Sequence, residues 1–198
     1  MKDLKKETAK LLAKSSKNIA QMVASSAFEF WQRKDFRLYV DFKNISQTEQ
    51  DRMFNELEVS VLGLFVLKFG EALEGAGEDR KIVFTALKKD LPAAFIEILA
   101  DTGIEEQYLD IWKKLIDMRL TEYRRDLKLA LKESKNMTEF EKDDSLRTTW
   151  ARIETITIDC LSHIRRGDVK EDDPLWKLLR KWIITLDAKL TPLTQEKS

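Results

Sequence analysis

Apolar residues recur at three- and four-residue intervals through most of the chain, and the breaks in that rhythm divide it into helices. The first run, from Asp3 as a cap to about Lys34, carries Leu4, Leu11, Leu12, Ile19, Met22, Val23, Ala27 and Phe30 at helical spacing. Ser15, Ser16, Ser25 and Ser26 thin this stripe and leave room for a neighbouring helix. Between residues 35 and 46 the rhythm changes. Phe36, Leu38, Val40 and Phe42 alternate with Arg37, Tyr39, Asp41 and Lys43, as in a strand. No other segment offers a partner strand, and a lone strand leaves its backbone groups unpaired. The segment therefore reads as a short helix or an extended connector, with pairing to a strand of a second chain as the alternative.

The next run organises the rest. Ser46 and Glu49 have capping-box spacing, Met53, Phe54 and Leu57 give an amphipathic entry, and Val59–Phe69 follows as VSVLGLFVLKF, polar only at Ser60 and Lys68. A helix apolar on nearly every side belongs inside a bundle. It is too short for a membrane span, which takes about 20 apolar residues. Gly63 at its centre costs about 1 kcal/mol relative to Ala, so another backbone is expected to approach closely there. Gly75 and Gly77 end the run.

Further helices are predicted over residues 79–89, with Ile82, Val83, Ala86 and Leu87 inward, and from Asp90, with Pro92 in the first turn and Phe95, Ile96 and Leu99 inward. Thr102-Gly103 stops the latter. A long helix from Glu105 to about Ser134 presents Tyr108, Ile111, Trp112, Leu115, Met118, Glu122 and Tyr123, continued by Leu127 and Ala130 or Leu131. Thr138 and Glu141 form a second capping-box pattern before Phe140, Leu146, Trp150, Ile153, Thr157, Leu161 and Ile164, a run closed by Arg165, Arg166 and Gly167. Asp173-Pro174 opens the last helix, whose face is Leu175, Leu179, Trp182, Ile183, Leu186 and Leu190, with Pro192 as its stop and residues 193–198 as a free tail. The expected fold is all-α: six to seven helices around a central apolar helix at about residues 47–73, in one domain spanning 1–198. Helix should take about two-thirds of the residues or more, against the usual third.

Composition narrows the function classes. Hydrophobic residues at 43% and charged ones at 35% describe a globular rather than a disordered chain. A net charge of zero gives no whole-molecule pull toward nucleic acid or an anionic membrane. One cysteine, Cys160, excludes an intrachain disulfide, and the N-terminus lacks the apolar core of a signal peptide. A cytoplasmic location is the expectation.

Catalytic patterns are sparse. A di-iron bundle needs two Glu-x-x-His pairs, but His163 is the single histidine and the residue three before it is Cys160. Cys160 and His163 share a helix face and could pair as metal ligands or as thiol and base; the plainer reading is a small core residue and a helix-end histidine. The glycines in Glu-Gly-Ala-Gly-Glu at 74–78 have acidic neighbours and no following Lys-Ser, so the segment is a turn rather than a phosphate loop. Asp143-Asp144 and Asp172-Asp173 stand where helix starts favour carboxylates. No catalytic, metal or cofactor site is expected, and the chain reads as non-enzymatic.

Charge is unevenly placed. Residues 1–36 carry eight Lys and Arg against four Asp and Glu, residues 37–110 eight against fifteen, and residues 111–137 eight against four. Arg124, Arg125, Lys128, Lys132 and Lys135 could face nucleic acid, but Glu122, Asp126 and Glu133 interrupt them. The expected function is protein–protein interaction or self-association, with Lys6, Lys10, Lys14, Lys17, Trp31 and Trp176 as partner-binding candidates. In that reading residues 1–17 project as a basic arm onto a protein partner, a second copy of the chain or, through this helix alone, an anionic membrane. The alternative is a small-molecule-sensing domain with an apolar pocket near the central helix. A cavity of a few hundred Å³ with convergent polar groups would favour that alternative.

Overall fold

The computed structural model describes residues 2–137, 143–167, 169–170 and 172–194, with the side chains of residues 2–6, 8 and 9 outside the description. Among the described residues the fold is all-α, without strands: α1 (Lys2–Trp31), α2 (Lys34–Tyr39), α3 (Gln47–Ala72), α4 (Glu78–Asp101), α5 (Glu106–Glu133), α6 (Asp144–Arg165) and α7 (Pro174–Thr194). A 3₁₀ turn, Ser134–Asn136, follows α5.

The central helix is the expected one. Ser46 accepts the Glu49 backbone N–H at 3.2 Å and opens α3, which is buried in an unbroken run from Glu56 to Phe69. It touches α1, α4, α5, α6 and α7, so its apolar surface is covered on every side. At Gly63 the neighbour is a side chain, not the expected backbone. A Cβ there would lie 2.5 Å from the Tyr123 ring. Tyr123 is wholly buried, and its hydroxyl lies 3.2 Å from that of Ser60.

Residues 35–46 form α2 and the turns after it, not a strand. Phe36 and Val40, four apart, are buried, while Leu38, which a strand would have placed with them, is 74% exposed. The backbone N–H groups of Val40, Asp41 and Phe42 donate within the segment and that of Arg37 donates to the Arg33 carbonyl just before it, so it offers little edge to a second chain.

Two expected breaks are not breaks. The helices predicted over 79–89 and from Asp90 are one, α4, with Pro92 in its interior. Interior proline costs about 3 kcal/mol, but Phe84, Leu87, Leu91, Phe95 and Ile98 continue one buried stripe through it. Packing of that stripe offsets the penalty. Likewise α7 runs through Pro192 to Thr194. Faces also differ in places. Ile82 and Val83 are exposed, because α4 turns Phe84 inward instead. Along α5 the buried side is Trp112, Ile116, Leu120 and Tyr123, leaving Tyr108, Ile111 and Met118 exposed. Leu11, Met22 and Leu146 are exposed too. Asp3 lies inside α1 rather than capping it. The Thr138–Glu141 pattern and Phe140 lie outside the described residues; α6 is capped instead by Asp143, which accepts the Leu146 N–H at 2.9 Å. The inward face of α7 is as expected, with all six of its apolar residues buried.

Candidate functional site

Where α1, α3, α4 and α5 meet, a cavity of about 800 Å³ opens. Asp51, Phe54, Asn55 and Glu58 reach it from α3, spaced three or four apart and so on one face. α1 contributes Ala24, Ser25 and Phe28. Ser25 belongs to the thinning noted in the sequence, and here it leaves space together with Ala24.

The far wall depends on how α4 ends. Gly103 adopts φ +94°, a backbone conformation glycine enters without strain. The Ile104 N–H then reaches the Leu99 carbonyl at 3.1 Å and the Gly103 N–H the Ala100 carbonyl at 3.0 Å. This paired closure is a Schellman turn. It folds Ile104 back beside Leu99, and both line the cavity with Ile98 and Thr102. From α5, Tyr108 and Trp112 stand four apart on the same side.

Most of this lining is apolar or aromatic. Phe28 and Phe54 meet edge to face at 6.4 Å, and Phe95 braces Trp112 from behind at 5.9 Å. Glu58 is the exception. Its side chain belongs to a residue 4% exposed, and it makes no hydrogen bond or ion pair among the described residues. Burial alone pushes its carboxyl up to about 8, because the low-dielectric site disfavours the charged form. No lysine or arginine lines the cavity, and Asp51 is its other carboxylate.

A second cavity, of about 410 Å³, lies against α3, α6 and α7 and contains Lys68, Glu71, Arg152, Asp187 and Thr191. Four of its charges, Lys68, Glu71, Arg152 and Asp187, are committed to one another. The Lys68 ammonium donates to the Asp187 carboxylate at 2.7 Å, the Asp187 carbonyl at 2.9 Å and the Thr191 hydroxyl at 2.8 Å. Arg152, 1% exposed, pairs with Asp187 at 2.7 Å and also with Glu71. Burial lowers the pKa of both cations, and Asp187 works against the shift in each. This cluster clamps three helices and has little capacity left for a ligand.

A further network joins α3 to α5. Arg119 holds Glu56 at 2.6 and 2.9 Å and Glu122 at 2.9 Å. Burial opposes its charge, but the two glutamates outweigh burial and raise its pKa. His163 Nε2 lies 3.2 Å from Glu122; burial first and Arg119 second lower its pKa. Cys160 is wholly buried and pushed up to about 12 by burial, which leaves it no thiolate character at neutral pH. No group of three or more His, Cys, Asp or Glu side chains among the described residues is arranged to hold a metal ion.

The residues singled out in the sequence are dispersed. Lys6 lies outside the described side chains, and Lys10 and Lys14 are exposed. Lys17 pairs with Asp101 of α4 at 2.7 Å. Trp31 is half-buried against Phe36, Phe42 and Phe54, so it stands behind the cavity wall rather than in it. Trp176 is on α7, with the Arg180 guanidinium 5.7 Å over its ring. Glu58, the polar group at the heart of the cavity, was not among the candidates. Its signal was its place one residue before the apolar core of the central helix, where a carboxylate has no ready solvent.

No family model matches the chain, and no curated protein or solved structure matches it. The fold defines an all-α helical bundle, and no helix among the described residues is long and apolar enough to cross a membrane.

Proposed function

We propose that the protein is a binding protein for a small, largely apolar molecule, held between α1, α3, α4 and α5. One observation carries the reading: a cavity of about 800 Å³ with aromatic walls converges on a buried, unpartnered carboxylate beside the central helix. Ligand sites are concave and mostly apolar, with few polar groups that fix orientation. Because the cavity is shared by four helices, occupancy would couple their packing, which suits a sensor.

Native mass spectrometry of the protein purified from its own host tests this. A retained small-molecule mass, lost in Trp112→Ala with the fold preserved, supports the reading. Bare protein whose melting temperature is unmoved by apolar aromatic additives, at concentrations that fill such cavities, overturns it.

Association with another protein or a second copy is the second reading, and the first turns of α1 favour it. Lys10, Leu11, Ala13, Lys14 and Ser15 are all exposed, Leu11 at 61%, and among the described side chains of α1 the first buried one is Ser16. A basic, partly apolar stretch is thus left uncovered at one end of the bundle. The same mass spectrum reports copy number.

A further inference from the structure

We propose that the ligand of this cavity is an organic cation, with its charged head against the Glu58 carboxylate and its apolar body among Phe28, Phe54, Tyr108 and Trp112. The inference rests on the ligand-binding reading and names the ligand's charge. Three independent features of the site point to it.

First, Glu58 is a residue only 4% exposed whose carboxylate has no hydrogen-bond or ion-pair partner among the described residues. The α3 helix places it on the cavity side, with Asn55 and Asp51 one and two turns along the same face. The other buried carboxylates for which the structure gives an ion pair show the contrast: Glu56 pairs with Arg119, Asp187 with Lys68 and Arg152, and Glu154 with Arg180. Asp159, half-buried on α6, is also without an ion pair among the described residues, but it does not line this cavity; at Glu58 the opposite charge is left to come from outside. An unpaired buried charge is costly, and a bound cation removes that cost.

Second, the lining carries no positive charge. α1 and α4 bring no ionisable side chain to it, α5 brings only Tyr108, and α3 itself brings Asp51. An anion would meet two carboxylates and no cation. A neutral molecule would offer Glu58 no ion pair and would leave it protonated.

Third, the walls suit a weakly hydrated cation. Ring faces attract such ions through their quadrupoles, most strongly when water is excluded. Four aromatic side chains border the space next to the carboxylate. A small metal ion would find too few oxygen ligands here, whereas an alkyl or aryl ammonium group uses both features.

The test uses three probes of one shape: the (2-naphthylmethyl)trimethylammonium ion, its neutral carbon isostere 2-neopentylnaphthalene, and 2-naphthylacetate. Binding is followed by isothermal titration and by Trp fluorescence. None of the three titrates between pH 6 and 9, so any pH dependence over that range belongs to the protein. The ammonium ion is expected to bind at least tenfold tighter than the neutral isostere at pH 8.5, and the carboxylate not at all. Its affinity should fall by up to about tenfold per pH unit below pH 8, as Glu58 must release a proton to receive it. In Glu58→Gln the preference for the cation and the pH dependence should both vanish. The pH series on the unaltered protein needs no variant. Equal affinity for the cation and its isostere, flat with pH, overturns the cation and leaves the apolar cavity standing. Failure of all three probes overturns both.

Discussion

A carboxyl group held at about 8 by burial makes folding pH-dependent at a single residue, Glu58. In the unfolded chain an ordinary glutamate loses its proton near pH 4.5. Between that value and about 8 the folded state holds a proton that the unfolded state has released. Stability therefore falls as pH rises through this window, by at most about 1.4 kcal/mol per unit for one group. Below it both states are protonated and the penalty disappears. Asp159 acts in the same direction, since burial and then Asp126 and Glu122 push it up to about 7. The paired carboxylates with lowered pKa values, Asp35, Glu49 and Asp173, act in the opposite direction, but at more acid pH. Glu58→Gln should thus match the parent near pH 5 and exceed it by on the order of 3–5 kcal/mol at pH 8.5. Urea melts at the two pH values check this; a stability difference that does not grow with pH would mean that Glu58 is ionised or solvated. Gly63 offers a second single-site test. Alanine there gains about 1 kcal/mol in helix propensity, but its Cβ would sit 2.5 Å from the Tyr123 ring. Ser60 lies within hydrogen-bond distance of the Tyr123 hydroxyl and discourages the ring from moving away. We expect Gly63→Ala to lose about 1–3 kcal/mol, and to recover most of it when Tyr123 is also shortened to Leu.

At the scale of the elements, the amphipathic pattern was most legible where one face alone is buried, and least where two are. α7 carries a single inward stripe, and its faces follow from spacing alone. α4 packs on both α1 and α3, so its apolar residues spread around the axis and Ile82 and Val83 could not be told from Phe84. Pro92 read as a boundary for the same reason: local propensity argues for a break, and only the stripe that continues past it shows that tertiary packing prevails. The polar clamps were hidden more deeply. Nothing near Lys68 in sequence announces Asp187, which lies 119 residues away. Yet α3, α6 and α7 are tied together at that aspartate, which receives Lys68 at 2.7 Å and Arg152 at 2.7 Å. Asp187→Ala should leave two buried cations short of a partner and cost about 3–5 kcal/mol. Denaturant melts measure the loss directly, and a change under 1 kcal/mol would show that water or Glu71 compensates.

Across the whole molecule, the cavity could not be read in advance because its lining is gathered from residues 24 to 112 on four helices. A central apolar helix was evident from VSVLGLFVLKF, whereas an empty space beside it depends on how side chains fill the gaps between neighbours. Charge distribution was easier to read, since it needs only the order of residues. Among the described residues, the basic first helix and the acidic stretch 37–110 share one ion pair, Lys17 with Asp101 at 2.7 Å. That pair is largely exposed and screened by solvent, so it contributes little to stability. It does not account for Lys10 and Lys14, which point away from the bundle with Leu11 between them. If these turns form an arm that docks on the acidic surface of a second copy, removing residues 1–14 should spare the fold, because Ser16 is the first buried side chain among those described along α1. The truncated chain should keep its circular dichroism and melt within a few degrees of the parent. Association of the full chain in sedimentation runs should be present at about 50 mM salt and fade toward 0.5 M, as the screening length contracts to a few ångströms. The truncated chain should stay monomeric at both. Loss of folding on truncation would make these turns part of the core, and a full chain that is monomeric at low salt would leave the arm without a second copy to bind.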